Sequence, residues 1–164
     1  MVGLAEATRA LRLQRGWTLE EAAERADVAV RHWQMLESGS SNPTAATLLR
    51  VARGFGVPVY ALFPSGEGVA PERPMPAAER ETVSSDEAVA AAVRWQRVQR
   101  DWSQAELAAR AGLSQGAVQS VEAATKSPTL RTLDAIASSL DVTSRDLLEP
   151  LMTDPRSRTL AKRT

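Results

Sequence analysis

Shifted by 85 residues, the chain matches itself without a gap, and Trp17 falls on Trp102. Arg12, Gln14, Arg15, Glu21, Ala23, Arg25 and Ala26 meet identical residues at Arg97, Gln99, Arg100, Glu106, Ala108, Arg110 and Ala111. Gln34, Glu37, Pro43, Thr44, Thr47, Leu48, Ala52 and Leu62 continue the match at Gln119, Glu122, Pro128, Thr129, Thr132, Leu133, Ala137 and Leu147. About twenty of about sixty aligned positions agree, and self-similarity that long at a fixed offset means one structural unit built twice. About sixty residues can enclose a small core, so each copy is read as a domain, 1–64 and 87–150. Between them, 65–86 holds Gly66, Gly68, Pro71, Pro74 and Pro76 with scattered acid, the composition of a linker, and 151–164 forms a basic tail.

The repeat unit is helical. Aromatic residues are only 4% of the chain against 43% hydrophobic residues overall, and β-branched runs are scarce, which favours helices over sheets. In the second copy helices are expected to begin near Glu87, Ser103, Ser114, Thr129 and Thr143. The last four are Ser or Thr suited to an N-cap, and Ser84 with Glu87 has the spacing of a capping box. Leu107, Ala108, Ala111, Val118, Val121, Leu133, Ile136, Ala137 and Leu140 recur at helical spacing and define the inward faces. Gly112 suits a left-handed cap between the second and third helices, so the order is helix, tight turn, helix.

Several functional classes are disfavoured. No run reaches the roughly 18 apolar residues of a membrane span, and Met1–Glu6 lacks a basic segment leading into an apolar one, so a cytoplasmic protein is expected. The chain has no cysteine and a single histidine, His32, which cannot form an imidazole cluster and is read as a surface or contact residue. No paired acid and base, phosphate-cradling Gly loop or metal spacing is legible, so neither an enzyme nor a cofactor is expected. Charge is locally uneven: residues 1–64 carry 7 basic and 6 acidic side chains, 65–87 carry 2 and 6, 88–150 carry 7 and 7, and 151–164 carry 4 and 1. Any nucleic-acid affinity must therefore come from placed side chains and helix N-termini, and not from a uniform positive field.

The run Arg97-Val98-Gln99-Arg100-Asp101-Trp102-Ser103-Gln104-Ala105-Glu106-Leu107-Ala108-Ala109-Arg110-Ala111-Gly112-Leu113-Ser114-Gln115 resembles the Cro/C1 (XRE) helix-turn-helix family. The first copy follows the same frame through Arg12-Leu13-Gln14-Arg15-Gly16-Trp17-Thr18-Leu19-Glu20-Glu21-Ala22-Ala23, then Leu36-Glu37-Ser38-Gly39 and Asn42-Pro43. The resemblance implies an all-α fold of two tandem five-helix, lambda-repressor-like domains joined by a Pro/Gly-containing linker. It also implies a sequence-specific transcription regulator of double-stranded DNA, a repressor, that reads the major groove with the third helix of each repeat.

In the second copy Gln115 and Gln119 are candidate base readers, because an amide can pair with adenine, while Gly116 and Ala117 allow close approach or touch a thymine methyl. Gln104 resembles the family's phosphate-contacting Gln, and Ser114 can both cap its helix and reach a phosphate. Lys126 and Arg131 are candidate phosphate clamps. Arg12 with Glu37, and Arg97 with Glu122, match a pair that in relatives braces the end of the reading helix. Trp17 and Trp102 are expected to plug the core.

The first copy departs from the frame with Leu19 in place of the phosphate-binding Gln and Ala29 in place of the cap. Its reading edge becomes Val30, Arg31, His32, Gln34 and Met35, with Trp33 inward, and Arg31 can still fork onto guanine. Two readings follow. In one, the repeats form a covalent pseudo-dimer on neighbouring half-sites, roughly 34 Å apart, bridged by a flexible linker whose coil spans about 26 Å. In the other, only the second domain binds DNA and the first is a protein-interaction or self-association module. The tail is read as solvated. In the second copy Ala124 replaces Gly39, and that loop is expected to take another path.

Overall fold

The computed structural model describes residues 2–57, 59–63 and 85–148. Position 64, linker positions 65–84, including Ser84 of the expected capping box, and the tail 151–164 lie outside the described residues. The first repeat comprises α1 (Val2–Gln14), α2 (Leu19–Arg25), α3 (Val30–Glu37), α4 (Ala45–Phe55) and a 3-10 turn, Val59–Leu62. The second comprises α5 (Ser85–Val98), α6 (Gln104–Ala111), α7 (Gln115–Glu122), α8 (Leu130–Ser139) and α9 (Ser144–Leu148). Two residues read as linker, Ser85 and Asp86, already belong to α5.

Helices begin where the chain supplies an oxygen. Thr18, Thr44, Ser103, Ser114 and Thr129 each accept the amide three residues on, and Thr18–Glu21 and Ser103–Glu106 close full capping boxes. The same rule explains why the first repeat has only a 3-10 turn as its fifth element. Thr143 and Asp146 exchange backbone and side-chain hydrogen bonds at the start of α9, whereas the matching positions are Pro58 and Ala61, which cannot.

Four turn positions take left-handed backbone in both repeats, pairing Gly16 with Asp101, Asp27 with Gly112, Gly39 with Ala124 and Gly56 with Asp141, at φ between 51 and 71°. The expectation that the Ala124 loop takes another path is not met: its φ of 53° sits beside 71° for Gly39. Both loops keep the same backbone bonds, from Gly39 to Leu36 and from Ala124 to Val121, each 3.1 Å. This ladder holds alanine in a conformation that costs it roughly 1–2 kcal/mol.

The expected inward faces are buried, except that Ala111 is half-buried. The two tryptophans expected as plugs pack against the core but are half-buried, each with an arginine over its ring. Trp17 stacks on Phe55 at 5.5 Å with the Arg25 guanidinium 4.4 Å from its ring centre, and Arg110 sits 4.2 Å from that of Trp102. The buried aromatics among the described residues of the first repeat are instead Trp33 and Phe55, which meet edge to face. A Cβ on Gly54 would lie 2.9 Å from the Ala26 backbone, so α4 passes the end of α2 with room only for glycine.

The repeats are not merely tethered. One apolar cluster runs through both, with α4 against α5 and α9 against the 3-10 turn. At the junction Thr44 and Thr129, equivalent residues, face each other in an antiparallel bridge. The first-turn amides of α4 have no acceptor inside their own helix. Ala45 donates to the Pro128 carbonyl at 2.8 Å, Ala46 to the Ser127 hydroxyl at 3.0 Å, and Thr47 to its own cap at 3.2 Å. In α8 Leu130 donates to the Pro43 carbonyl at 2.7 Å, Arg131 to Asn42 Oδ1 at 3.0 Å, and Thr132 to its own cap at 3.3 Å. Each bond between the repeats has its counterpart at the matching positions, so the junction has the self-complementary form of a two-fold dimer interface. Ser127 breaks the symmetry by also donating to Asp86 at 2.7 Å.

Replacing Ser127 with Ala strips the Ala46 amide of its acceptor and is expected to lower stability in urea unfolding by about 1 kcal/mol. Ala124→Gly is expected to raise it by about 1 kcal/mol, since glycine takes the left-handed turn without strain.

Candidate nucleic-acid interface

In each repeat the third helix is held at its far end by one arginine. Arg12 of α1 forks onto Glu37, Nε to Oε1 at 2.6 Å and Nη2 to Oε2 at 2.8 Å, while Nη1 donates to the Trp17 carbonyl at 3.0 Å. Arg97 repeats this on Glu122 at 2.6 and 3.0 Å and on the Trp102 carbonyl at 2.6 Å. The expected bracing pairs are therefore present, each joining the first helix, the turn before the second helix and the end of the third. Arg94 adds a bond to the Glu122 carbonyl at 3.3 Å.

The carboxylates are well covered, with side-chain exposure of 9% for Glu37 and 1% for Glu122. Burial pushes both carboxyls up, but hydrogen bonds from Arg12 and Trp33, and from Arg97 and Gln104, more than offset it and leave both below the ordinary carboxylate range. The same bonds raise the two guanidinium groups.

With that end fixed, the opposite edge of α7 faces solvent. Val118 and Val121 are buried, Gln115, Gly116 and Gln119 are exposed, and Ala117 is half-buried. Ser114 accepts the Ala117 amide at 3.2 Å and stays exposed, while Lys126 and Arg131 are exposed beyond the helix. Two of these positions carry connections that the sequence did not disclose. Arg131 places its amide in the junction with Asn42, and the half-buried Gln104 donates Nε2 to Glu122 Oε2 at 2.8 Å. The outward α7 edge thus offers two primary amides, each able to donate and accept, and no charge of its own.

In α3 the corresponding edge exposes Arg31, His32, Gln34 and Met35, with Val30 half-buried and Trp33 only 1% exposed. Its cap residue, Ala29, makes no side-chain hydrogen bond, as its chemistry dictates. Trp33 was expected to point inward and does, but its indole also donates to Glu37 Oε1 at 2.7 Å. The matching Asn42-Pro43-Thr44 and Ser127-Pro128-Thr129 segments were the sequence clue to the junction, since both keep an oxygen, a proline and a cap in the same order.

A carboxyl whose pKa is lowered by folding contributes stability that is fully present above the unfolded value, about 4.3, and is lost as pH falls through the folded value. Unfolding free energy should therefore stay level above about pH 5 and drop below about pH 4. Glu122→Gln should lower neutral-pH stability by about 2 kcal/mol and flatten that acid limb, as read by urea titrations at stepped pH.

A family model described as helix-turn-helix matches the chain twice, over residues 9–62 and 93–147. The HTH-type transcriptional regulator SutR of Escherichia coli strain K12 is 40% identical over 55 residues, 34% of this chain and 31% of the relative. The chain thus spans about a third of that relative's length. No solved structure matches, and no described helix is long and apolar enough to cross a membrane. The two matches each span one braced repeat from its first helix to its fifth element, and the chain belongs to the DNA-binding helix-turn-helix family of the Cro/C1 type, whose domain it carries twice.

Proposed function

We propose that this chain is a sequence-specific regulator of transcription that binds double-stranded DNA as a covalent pseudo-dimer, with α7 in one major groove and α3 in the next. The observation that carries this reading is the junction, where bonds between matching positions relate the two reading helices by a pseudo-two-fold. Two-fold related proteins dock on half-sites one helical turn apart. Here one chain supplies both halves, so the linker does not set the spacing alone.

In α7, Gln115 and Gln119 present their amides to base edges, with Gly116 and Ala117 allowing close approach. In α3, Arg31 forks onto guanine beside His32, Gln34 and Val30. Gln104, Ser114, Lys126 and Arg131 hold phosphates and set register. The preferred site is asymmetric, because the two edges carry different side chains. Occupancy of such a site blocks other proteins from the same duplex, which makes repression the natural regulatory sign.

A second reading has one observation in its favour. The start of α2 carries Leu19 and that of α3 carries Ala29, while Met35 is exposed, so the first repeat offers less to phosphate and more to an apolar partner. In that case only the second repeat binds DNA and the first docks a protein or another copy of the chain.

Gln115→Ala is expected to weaken binding to a selected duplex roughly 5- to 100-fold, the range for one bidentate base contact. Arg31→Ala with His32→Ala should weaken it comparably if both repeats read DNA, and leave it unchanged if the second reading holds. Footprints on the same duplex should cover two adjacent half-sites per chain. Protection of a single half-site excludes the pseudo-dimer.

A further inference from the structure

We propose that Trp33 is the positioning residue of the first repeat's reading helix, doing through its indole N–H what Gln104 does through its amide in the second. This rests on the reading of α3 as a DNA-facing helix. In both repeats the arginine fork leaves acceptor capacity on a covered carboxylate, which can take about four hydrogen bonds, and leaving it unpaired there is costly. The third donor comes from opposite places. Gln104, the first residue of α6, reaches Glu122 across the helix-turn-helix at 2.8 Å. Its match in the first repeat is Leu19, which has no donor; there Trp33, one turn before Glu37 on α3 itself, donates at 2.7 Å. The match of Trp33 is Val118, which likewise has none. The exchange is therefore reciprocal, each repeat holding one donor and one aliphatic residue at the same two positions.

The exchange has a consequence at the DNA. An amide has two hydrogens, so Gln104 can complete the carboxylate and still offer one to a phosphate. An indole has one, and that of Trp33 is spent on Glu37 by a residue that is 1% exposed. The first repeat thus keeps its reading helix braced while giving up the phosphate anchor, leaving the second repeat to set register.

The full chain is compared with Trp33→Phe, Leu19→Gln and the double variant. Phenylalanine keeps a ring beside Phe55 and removes the N–H together with the second ring of the indole, and glutamine restores the donor, though not that volume, in the second repeat's manner. Probes are a duplex enriched by the wild-type chain from a randomised pool, and the same duplex with either half scrambled. Trp33→Phe should lower affinity about tenfold wherever the α3 half-site is intact, and not where only the α7 half-site remains. Leu19→Gln in that background should recover most of the affinity and part of the melting temperature, the remainder being the cost of the smaller ring, whereas on its own it lowers the latter by removing an apolar contact. Unchanged α3-half affinity in Trp33→Phe, equal losses on both halves, or no rescue by Leu19→Gln each overturns the proposal. If the pool yields no duplex, the DNA reading fails by itself, and the melting temperatures of the four proteins still decide the third-donor exchange.

Discussion

The amides at the starts of α4 and α8 set the terms for the rest of the molecule. A helix cannot satisfy its own first turn, and here two first turns meet head to head. Each completes the other through a proline carbonyl and a polar side chain, Pro128 with Ser127 for α4 and Pro43 with Asn42 for α8. Proline suits this place because it has no amide to satisfy and leaves its carbonyl free to accept. Neither helix start is complete without the other repeat, so what composition presents as two small domains on a string is a single two-fold arrangement with a continuous apolar cluster.

From that junction a short series of contacts leads to the exposed edges of α3 and α7. Helix α4 closes on the end of α2 at Gly54, α2 turns into α3, and the far end of α3 is tied back to α1 by Arg12. The second repeat ties α7 to α5 by Arg97 in the same way. An ion pair this covered has limited net worth as a source of stability, because desolvation opposes the attraction. Its contribution is direction: a planar fork on a carboxylate accepts one orientation, and the third helix of the repeat inherits it.

Much of this was legible in the residues. The offset of 85 disclosed the repeat, Ser103, Ser114 and Thr129 disclosed the helix starts, and the spacing of Val118 and Val121 disclosed which side of α7 turns inward and left Gln115 and Gln119 outside. What escaped depends on contacts between distant positions. The docking of the repeats hangs largely on helix-start amides and proline carbonyls, and the matching Asn42-Pro43-Thr44 and Ser127-Pro128-Thr129 segments mark the place without showing that they meet. Trp17 and Trp102 read as core from the apolar position they match in the family frame, yet each sits half-buried at the rim with a guanidinium over its ring. Ala124 keeps a glycine's turn because the surrounding ladder outweighs its local preference. The roles of Gln104 and Trp33 could be seen only by comparing the repeats in space, since each looks ordinary within its own helix.

Covalent fusion also changes how such an interface can vary. In an assembly of identical subunits every substitution arrives in duplicate, so a change that suits one half is imposed on the other. Here asparagine at position 42 and serine at position 127 serve the same purpose with different chemistry, and only the serine has recruited Asp86. A single coding change is felt once, which frees one half of the junction to drift while its counterpart stays put.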